Sequence, residues 1–171
     1  AQGVLLPDRA RIVLRQFRLK AGGTEITAEG HISDFGGPMK AKLEGRLGPM
    51  SSTTFRALWP QSLAPQSRTW ISRNLLRGQL QGGNFRYVSG YGPETASTGD
   101  RTSLTLEAAN AAFNVMDGWP PLEVPRALVR LDGSTFELAI PEGTLATQDG
   151  RKVALKGSFT VDMMDPAHVG Q

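Results

Sequence analysis

The chain of 171 residues contains no cysteine, which excludes disulfides and thiolate metal sites. Its two histidines, His31 and His168, are far apart in sequence, and neither has a second histidine nearby. No apolar run approaches the ~18 residues of a membrane-spanning helix. The formal net charge of +3 is too small to indicate a nucleic-acid-binding surface. We therefore expect neither a metal site nor a nucleic-acid partner.

The sequence also lacks a targeting signal, because its first residues carry no basic region and no cleavage pattern. If the protein works at a membrane, we expect its anchor to lie outside this chain. Basic residues do cluster early, at Arg9, Arg11, Arg15 and Arg18. This cluster is typical of the solvated face of a strand, and contact with anionic lipid headgroups is the alternative.

Motifs of the common enzyme classes are missing as well. There is no HExxH sequence, no EF-hand loop and no phosphate-binding glycine–lysine motif. Ser134 lacks the G-x-S-x-G frame of a hydrolase. Carboxylates such as Glu123, Asp132, Glu137 and Glu142 show no spacing that marks an acid–base pair. The sequence predicts a protein that is not an enzyme and that needs no cofactor.

What the sequence does contain is a repeated alternation of apolar and polar residues. Alternate side chains of a strand point to opposite faces of a sheet, so each such segment buries one face and exposes the other to solvent. His31 falls on a polar face and is expected at the surface. The residues that we assign to the apolar face are Ile26, Ile32, Leu43, Leu47, Phe136, Leu138, Ile140, Leu155, Phe159 and Val161.

Glycine and proline divide the chain into predicted strands. Residues 9–20, 24–33 and 39–47 are typical of an antiparallel meander with short connections. The pair Asp132-Gly133 is a hairpin signal. Further strands are predicted at residues 79–88, 101–113, 126–132, 135–140, 143–147 and 152–161.

Two helices are predicted between these groups of strands. Serine and threonine at residues 51–54 favour a helix start, and Pro60 ends that helix. A longer helix is predicted from residue 65 to residue 77, with Gly78 as its C-terminal cap. The aromatic residues Phe55, Trp59 and Trp70 are expected to anchor helix to sheet, and Trp119 to have a structural role at a bend.

These elements predict a mainly β fold in one domain over residues 1–171. The expected architecture is a curved, mostly antiparallel sheet, groove-like or partly closed, with one or two short helices packed on it near residues 51–77. The predicted parts are a β-meander at 1–50, a helical insert at 51–78, a β-sheet region at 79–162 and a tail at 163–171.

The predicted helix is too small to cover the apolar face. About nine strands of ~17 Å, spaced ~4.8 Å apart, present roughly 700 Å². A thirteen-residue helix covers roughly 200 Å². Either the sheet closes on itself as a sandwich or barrel, or it curves and leaves an apolar trough. Periodicity does not separate these two solutions, although a closed core is the commoner one.

A series of short segments lies in order over about residues 55–162, and these segments are turns, caps and anchors rather than catalytic groups. They are Ala57-Leu58-Trp59-Pro60, Leu63-Ala64-Pro65, Arg68-Thr69-Trp70-Ile71, Asn74-Leu75 through Gly78, Val115 through Trp119-Pro120-Pro121-Leu122, Val129 through Gly133, Phe136-Glu137-Leu138 and Pro141-Glu142-Gly143. Together they resemble the AsmA-like superfamily of Gram-negative envelope proteins, of the YhdP and TamB type. The first fifty residues match this family only in being repeated strands.

The resemblance implies an internal piece of a longer periplasmic protein anchored in the inner membrane. Such proteins are thought to carry phospholipids between the inner and outer membranes along an apolar β-groove, which supports outer-membrane integrity. The apolar-face residues would then contact acyl chains collectively or pack the core. Expected partners are phospholipid or another acyl-chain ligand, flanking domains of the same chain and envelope proteins. The alternative is a structural module that scaffolds outer-membrane proteins or assists their assembly.

This chain departs from that family pattern in its inward-facing residues. Many of them are small, including Ala28, Gly30, Ala41, Gly45 and Gly157. Small residues could widen a groove or let the sheet bend tightly, and the sequence leaves both open.

Overall fold

The structure, a computed structural model, describes residues 2–6, 11–35, 39–61, 64–91, 101–116, 118–147 and 149–162. Two short helices interrupt a succession of strands. The helices are α1 (Ser52–Leu58) and α2 (Pro65–Asn74). The strands are β1 (Gln2–Leu6), β2 (Arg11–Ala21), β3 (Thr24–Ser33), β4 (Lys40–Leu47), β5 (Met50–Ser51), β6 (Leu75–Ser89), β7 (Arg101–Phe113), β8 (Leu122–Asp132), β9 (Thr135–Ala146) and β10 (Lys152–Asp162).

All strands belong to one antiparallel sheet in the order β1-β2-β3-β4-β6-β7-β8-β9-β10, and β5 pairs with β6 outside this path. Within the described residues β1 and β10 form opposite edges, and the sheet is not closed. The predicted fold class, a mainly antiparallel β-sheet with short helices, is confirmed. A fully closed barrel, which periodicity left possible, is excluded.

The register collects the apolar residues of successive strands on one face, which we call the apolar face; the opposite one is the polar face. One cross-strand row shows how far this alignment extends, since it runs without interruption from β2 to β9. Its members are Phe17, Ala28, Gly45, Phe85, Leu104, Leu131 and Phe136. Each helix can therefore cover only part of a long apolar surface.

Local chemistry fixes where the helices begin and end. Ser51 is the N-cap of α1, and its Oγ accepts a hydrogen bond from the Thr54 backbone N–H at 3.1 Å. The helix ends at Leu58, and Pro60 follows its C-cap as predicted. Pro65 occupies the first turn of α2, where its missing N–H costs no helical hydrogen bond.

The helices pack on the apolar face of β6 to β10, and aromatic side chains hold them there as predicted. Phe55 and Trp59 are 5% and 9% exposed, and the Trp70 ring lies 4.4 Å from the Phe136 ring, centroid to centroid. The buried core comprises Met50, Phe55, Trp59, Ile71, Leu75, Leu80, Leu104, Leu106, Ala108, Ala111, Phe113, Leu122, Val124, Ala127, Val129, Leu131, Phe136, Leu138 and Ile140.

The end of the second helix differs from the prediction. Helix α2 ends at Asn74, and Gly78 lies inside β6, so its assignment as a helix cap was wrong. The φ of Gly78 is +152°, and a Cβ built there would lie 3.0 Å from the Ala111 Cβ. This glycine allows close approach of β6 and β7 rather than ending a helix. The helical insert is correspondingly shorter than residues 51–78.

The strands differ from the prediction at several places. Neither β1 nor the two-residue β5 was predicted. β6 begins at Leu75 rather than residue 79, β8 begins at Leu122 rather than residue 126, and the predicted strands 135–140 and 143–147 form one strand, β9. The β8–β9 hairpin at Asp132-Gly133 is confirmed, with Asp132 paired to Thr135. Trp119 is 56% exposed in the connection before β8. The predicted tail lies outside the described residues.

Candidate functional site

The apolar face has two parts that differ in what covers them. Among the described residues, no member of β2 or β3 belongs to the core or to the hydrophobic residues packed against it. Their apolar side chains are half-buried, except Leu19, which is 39% exposed. We call this surface the N-terminal patch; it consists of Ile12, Leu14, Phe17, Leu19, Ile26, Ala28, Ile32 and Leu43.

The residues predicted to form the apolar face are distributed over both parts. Phe136, Leu138 and Ile140 are 1%, 0% and 5% exposed, so they pack the core and are closed to a ligand. Ile26, Ile32 and Leu43 lie in the N-terminal patch. Leu47, Leu155 and Phe159 are half-buried against the core. Val161 pairs with Phe136, and its side chain lies outside the described part.

Sequence reasoning did not include the β2 members of the patch, and a bulge explains why. Leu14 and Phe17 pair with Gly30 and Ala28, so two residues of β2 stand where regular pairing needs one. The apolar positions therefore change from even numbers (Ile12, Leu14) to odd ones. That change of parity is visible in the sequence and could have located the bulge.

Two glycines on the apolar face, Gly45 and Gly83, are covered by their neighbours, whereas Gly157 of β10 is exposed and open. A Cβ built on Gly45 would lie 2.0 Å from the Thr27 carbonyl oxygen and 2.8 Å from atoms of the Phe85 ring. At Gly83 the Leu106 side chain would lie at 2.6 Å. At these two positions, glycine makes room for a large side chain of the adjacent strand.

A groove of about 680 Å³ crosses five strands, β2, β3, β4, β6 and β7. Its residues come as consecutive runs, with three members from each strand except β2, which supplies four. They are Arg15, Gln16, Phe17, Arg18, Thr27, Ala28, Glu29, Glu44, Gly45, Arg46, Asn84, Phe85, Arg86, Ser103, Leu104 and Thr105.

The groove lies on the polar face. A groove on the apolar face would be walled by the next apolar positions, such as Ile26, Leu43 and Leu47, and none of these lines it. Leu104 is only 7% exposed and packs in the core on the other side. The middle row therefore contributes backbone to the floor, and the flanking residues form two walls.

Charge is balanced differently along the polar face. On β6 to β9, arginines face carboxylates across strands: Arg77 donates to Glu123 at 2.6 Å, and Arg126 donates to Glu107. Arg101 makes a two-pronged contact with both oxygens of Asp132, each at 3.0 Å from Nη2. The groove combines Arg15, Arg18, Arg46 and Arg86 with two carboxylates of its own lining, Glu29 and Glu44, and Arg18 also lies 3.9 Å from Glu25 outside the groove. The lining therefore contains more basic than acidic side chains.

His31 lies beside the groove and contacts Tyr91. Its Nε2 lies 2.5 Å from the Tyr91 hydroxyl oxygen, and the two rings meet edge-on with centroids 5.9 Å apart. Burial, and secondarily the charges of Arg11 and Lys42, lower the pKa of His31. The histidine predicted at the surface is thus half-buried and favours its neutral form.

In the part of the chain that the structure describes, no group of three or more histidine, cysteine, aspartate or glutamate side chains could hold a metal ion. Neither helix is long and apolar enough to cross a membrane. His168 lies outside this part.

These features leave two surfaces as candidate sites, the N-terminal patch and the groove on the polar face. The first offers hydrocarbon contact, and the second offers hydrogen bonds and charge. No protein-family model matches the chain, and neither a curated protein nor a solved structure is significantly similar to it.

Proposed function

We propose that the chain is a non-enzymatic segment of an AsmA-like periplasmic protein, and that its apolar face helps carry phospholipids between the inner and outer membranes. The observation that supports this most is the N-terminal patch. It continues the apolar face beyond the helices, over β2 and β3, whose described residues contribute nothing to the core, and onto Leu43 of β4. The transport role and the periplasmic location are inferred from the resemblance of residues 55–162 to the family.

Acyl chains suit this patch because the attraction is additive and needs no special residue. Each CH₂ removed from water contributes about 0.8 kcal/mol, so a short stretch of chain in contact gains several kcal/mol. Side chains from β2, β3 and β4 lie next to one another across the sheet. A lipid tail crossing these strands would meet apolar groups at each step, and no covalent chemistry is required.

The covered part of the face has a different role in this proposal. Leu138 and its neighbours form a dry core that fixes the curvature and register of the sheet. Lipid contact is therefore assigned to the patch alone. In this proposal, therefore, the lipid does not contact every apolar residue of the sheet.

Photocrosslinking in intact cells tests the proposal. A benzophenone amino acid placed at Ile26 or Leu43 is expected to capture phospholipid, because both positions lie in the patch. Glu25 and Lys42 are matched controls, since each is one residue along the same strand, faces the polar side and lies outside the groove on that face. Adducts identified by mass spectrometry at the patch positions only support transport. Equal capture on both faces, or none, contradicts it.

The second candidate is a scaffold for outer-membrane proteins, and the edges of the sheet favour it. Within the described residues β1 and β10 each have one neighbouring strand. Edge strands accept further strands through their unpaired backbone groups. Crosslinks from β10 to envelope proteins, without lipid capture at the patch, would favour this function over transport.

A further inference from the structure

The two walls of the polar-face groove differ in charge. One row contains Arg18, Thr27, Arg46, Asn84 and Thr105, and we call it the basic wall. The other contains Gln16, Glu29, Glu44, Arg86 and Ser103, and we call it the acidic wall because the carboxylates lie there. On each of β3, β4, β6 and β7 the two walls are two positions apart, with one floor residue between them, which corresponds to about 7 Å.

The centre of the basic wall presents hydrogen-bond donors without a countercharge. Arg46 has Thr27 and Asn84 as its cross-strand neighbours. Within the described ranges no carboxylate oxygen lies within 4.0 Å of its guanidinium, whereas Arg130, farther along the same row, contacts Glu137 at 3.7 Å. A guanidinium flanked by an amide and a hydroxyl is suited to the oxygens of a phosphate.

On the acidic wall, two like charges face each other. Glu29 and Glu44 are direct cross-strand partners, an arrangement that destabilises a sheet. Neither carboxylate forms an ion pair with a basic side chain in the part of the chain that is described. A cation bound between them would relieve the repulsion.

The bulge in β2 shapes one end of the groove. It places both Arg15 and Gln16 opposite the single position between Gly30 and Ala28 on β3. Bulges redirect side chains and are frequent next to binding sites. Here the extra residue lets β2 contribute two arginines, Arg15 and Arg18, to the lining of the groove.

We propose that this groove binds a zwitterionic phosphate ester in which a two-carbon chain links the phosphate to a primary ammonium. The phosphate contacts Arg46, Asn84 and Thr27 on the basic wall. The ammonium lies between Glu29 and Glu44 on the acidic wall. The short link between the two charges suits walls that are separated by one residue of floor. This site faces away from the N-terminal patch and does not depend on the transport role.

Isothermal titration calorimetry of the purified chain with O-phosphoethanolamine tests this site. Glycerol 3-phosphate offers only the anion and ethanolamine only the cation, so each should bind at least about tenfold more weakly, because one wall then lacks its partner. Arg46→Gln and Glu29→Gln should each lower the affinity for O-phosphoethanolamine by a similar factor. Arg130→Gln, on the same face outside the groove, should leave it unchanged.

Other results would overturn the assignment. These are no binding of O-phosphoethanolamine, equal binding of the single-charge compounds, or equal effects of all three substitutions in variants whose circular dichroism matches wild type. Flotation with vesicles then identifies the source of the ligand. Binding to phosphatidylethanolamine vesicles but not to phosphatidylcholine vesicles indicates a lipid headgroup, and binding of the soluble compound alone indicates a free or polymer-borne ester.

Discussion

A Leu138→Ala variant is expected to lose about 3–4 kcal/mol of unfolding free energy. Leu138 is 0% exposed and pairs with Val129 on one side and Phe159 on the other, beneath the helices. Truncation removes buried methyl groups and leaves a cavity that a sheet held by neighbours on both sides cannot collapse to fill. Urea unfolding followed by circular dichroism measures the change.

Leu19→Ala is the matched control, because Leu19 is a leucine on the same face but is 39% exposed in the N-terminal patch. Its expected loss is below about 1 kcal/mol. The contrast separates the packed part of the apolar face from the patch. Equal losses in the two variants would mean that the patch is packed as tightly as the core, which contradicts the division on which the proposed function depends.

A Gly30→Ala variant is expected to be destabilised by more than about 4 kcal/mol, enough to prevent folding in many domains of this size. Gly30 has a φ of +138°, and a Cβ built there would lie 2.0 Å from the Lys42 carbonyl oxygen. Backbone on the neighbouring strand cannot move aside as a flexible side chain can. Soluble yield and the thermal unfolding midpoint measure the effect.

Gly157→Ala provides the control for this substitution. A Cβ at Gly157 meets nothing within 4 Å, and its backbone has no positive φ. Its stability should stay within about 0.5 kcal/mol of wild type. If Gly30→Ala folded as stably as Gly157→Ala, the close approach of β3 and β4 described here would be incorrect.

The two faces of the sheet could be predicted from sequence because period-two alternation directly records side-chain direction. Ile26, Leu43 and Leu138 all lie on the face assigned to them. The caps were predictable for a similar reason, since Ser51 and Pro65 act within a single turn of helix. At these positions, interactions between residues close in sequence were sufficient to predict the structure.

Positions that depend on neighbouring strands were not predictable in the same way. Gly78 follows a helix closely enough to suggest a cap, but contact with Ala111 of β7 decides its role. The bulge that joins residues 135–140 and 143–147 into one strand lets β9 continue past Pro141. In both cases, tertiary pairing overrides the local signal.

The candidate sites could not be predicted from the sequence for the same reason. Phe136 and Ile26 have similar alternating patterns in the sequence, yet only Phe136 lies beneath a helix, where the Trp70 ring of α2 packs on it. The groove has no sequence signature at all. Its walls combine residues from five strands, and Arg46 becomes distinctive only when its neighbours Thr27 and Asn84 are known.

Paramagnetic relaxation measured by NMR on methyl-labelled protein tests most directly whether the N-terminal patch holds lipid tails. A phospholipid with a nitroxide in mid-chain should broaden the methyl signals of Ile26, Ile32 and Leu43, while that of the enclosed Leu138, which lies five strands from Ile26, keeps most of its intensity. The reduced, diamagnetic lipid serves as the reference. Uniform broadening, or signals unchanged by the nitroxide, would show that hydrocarbon does not settle on these strands.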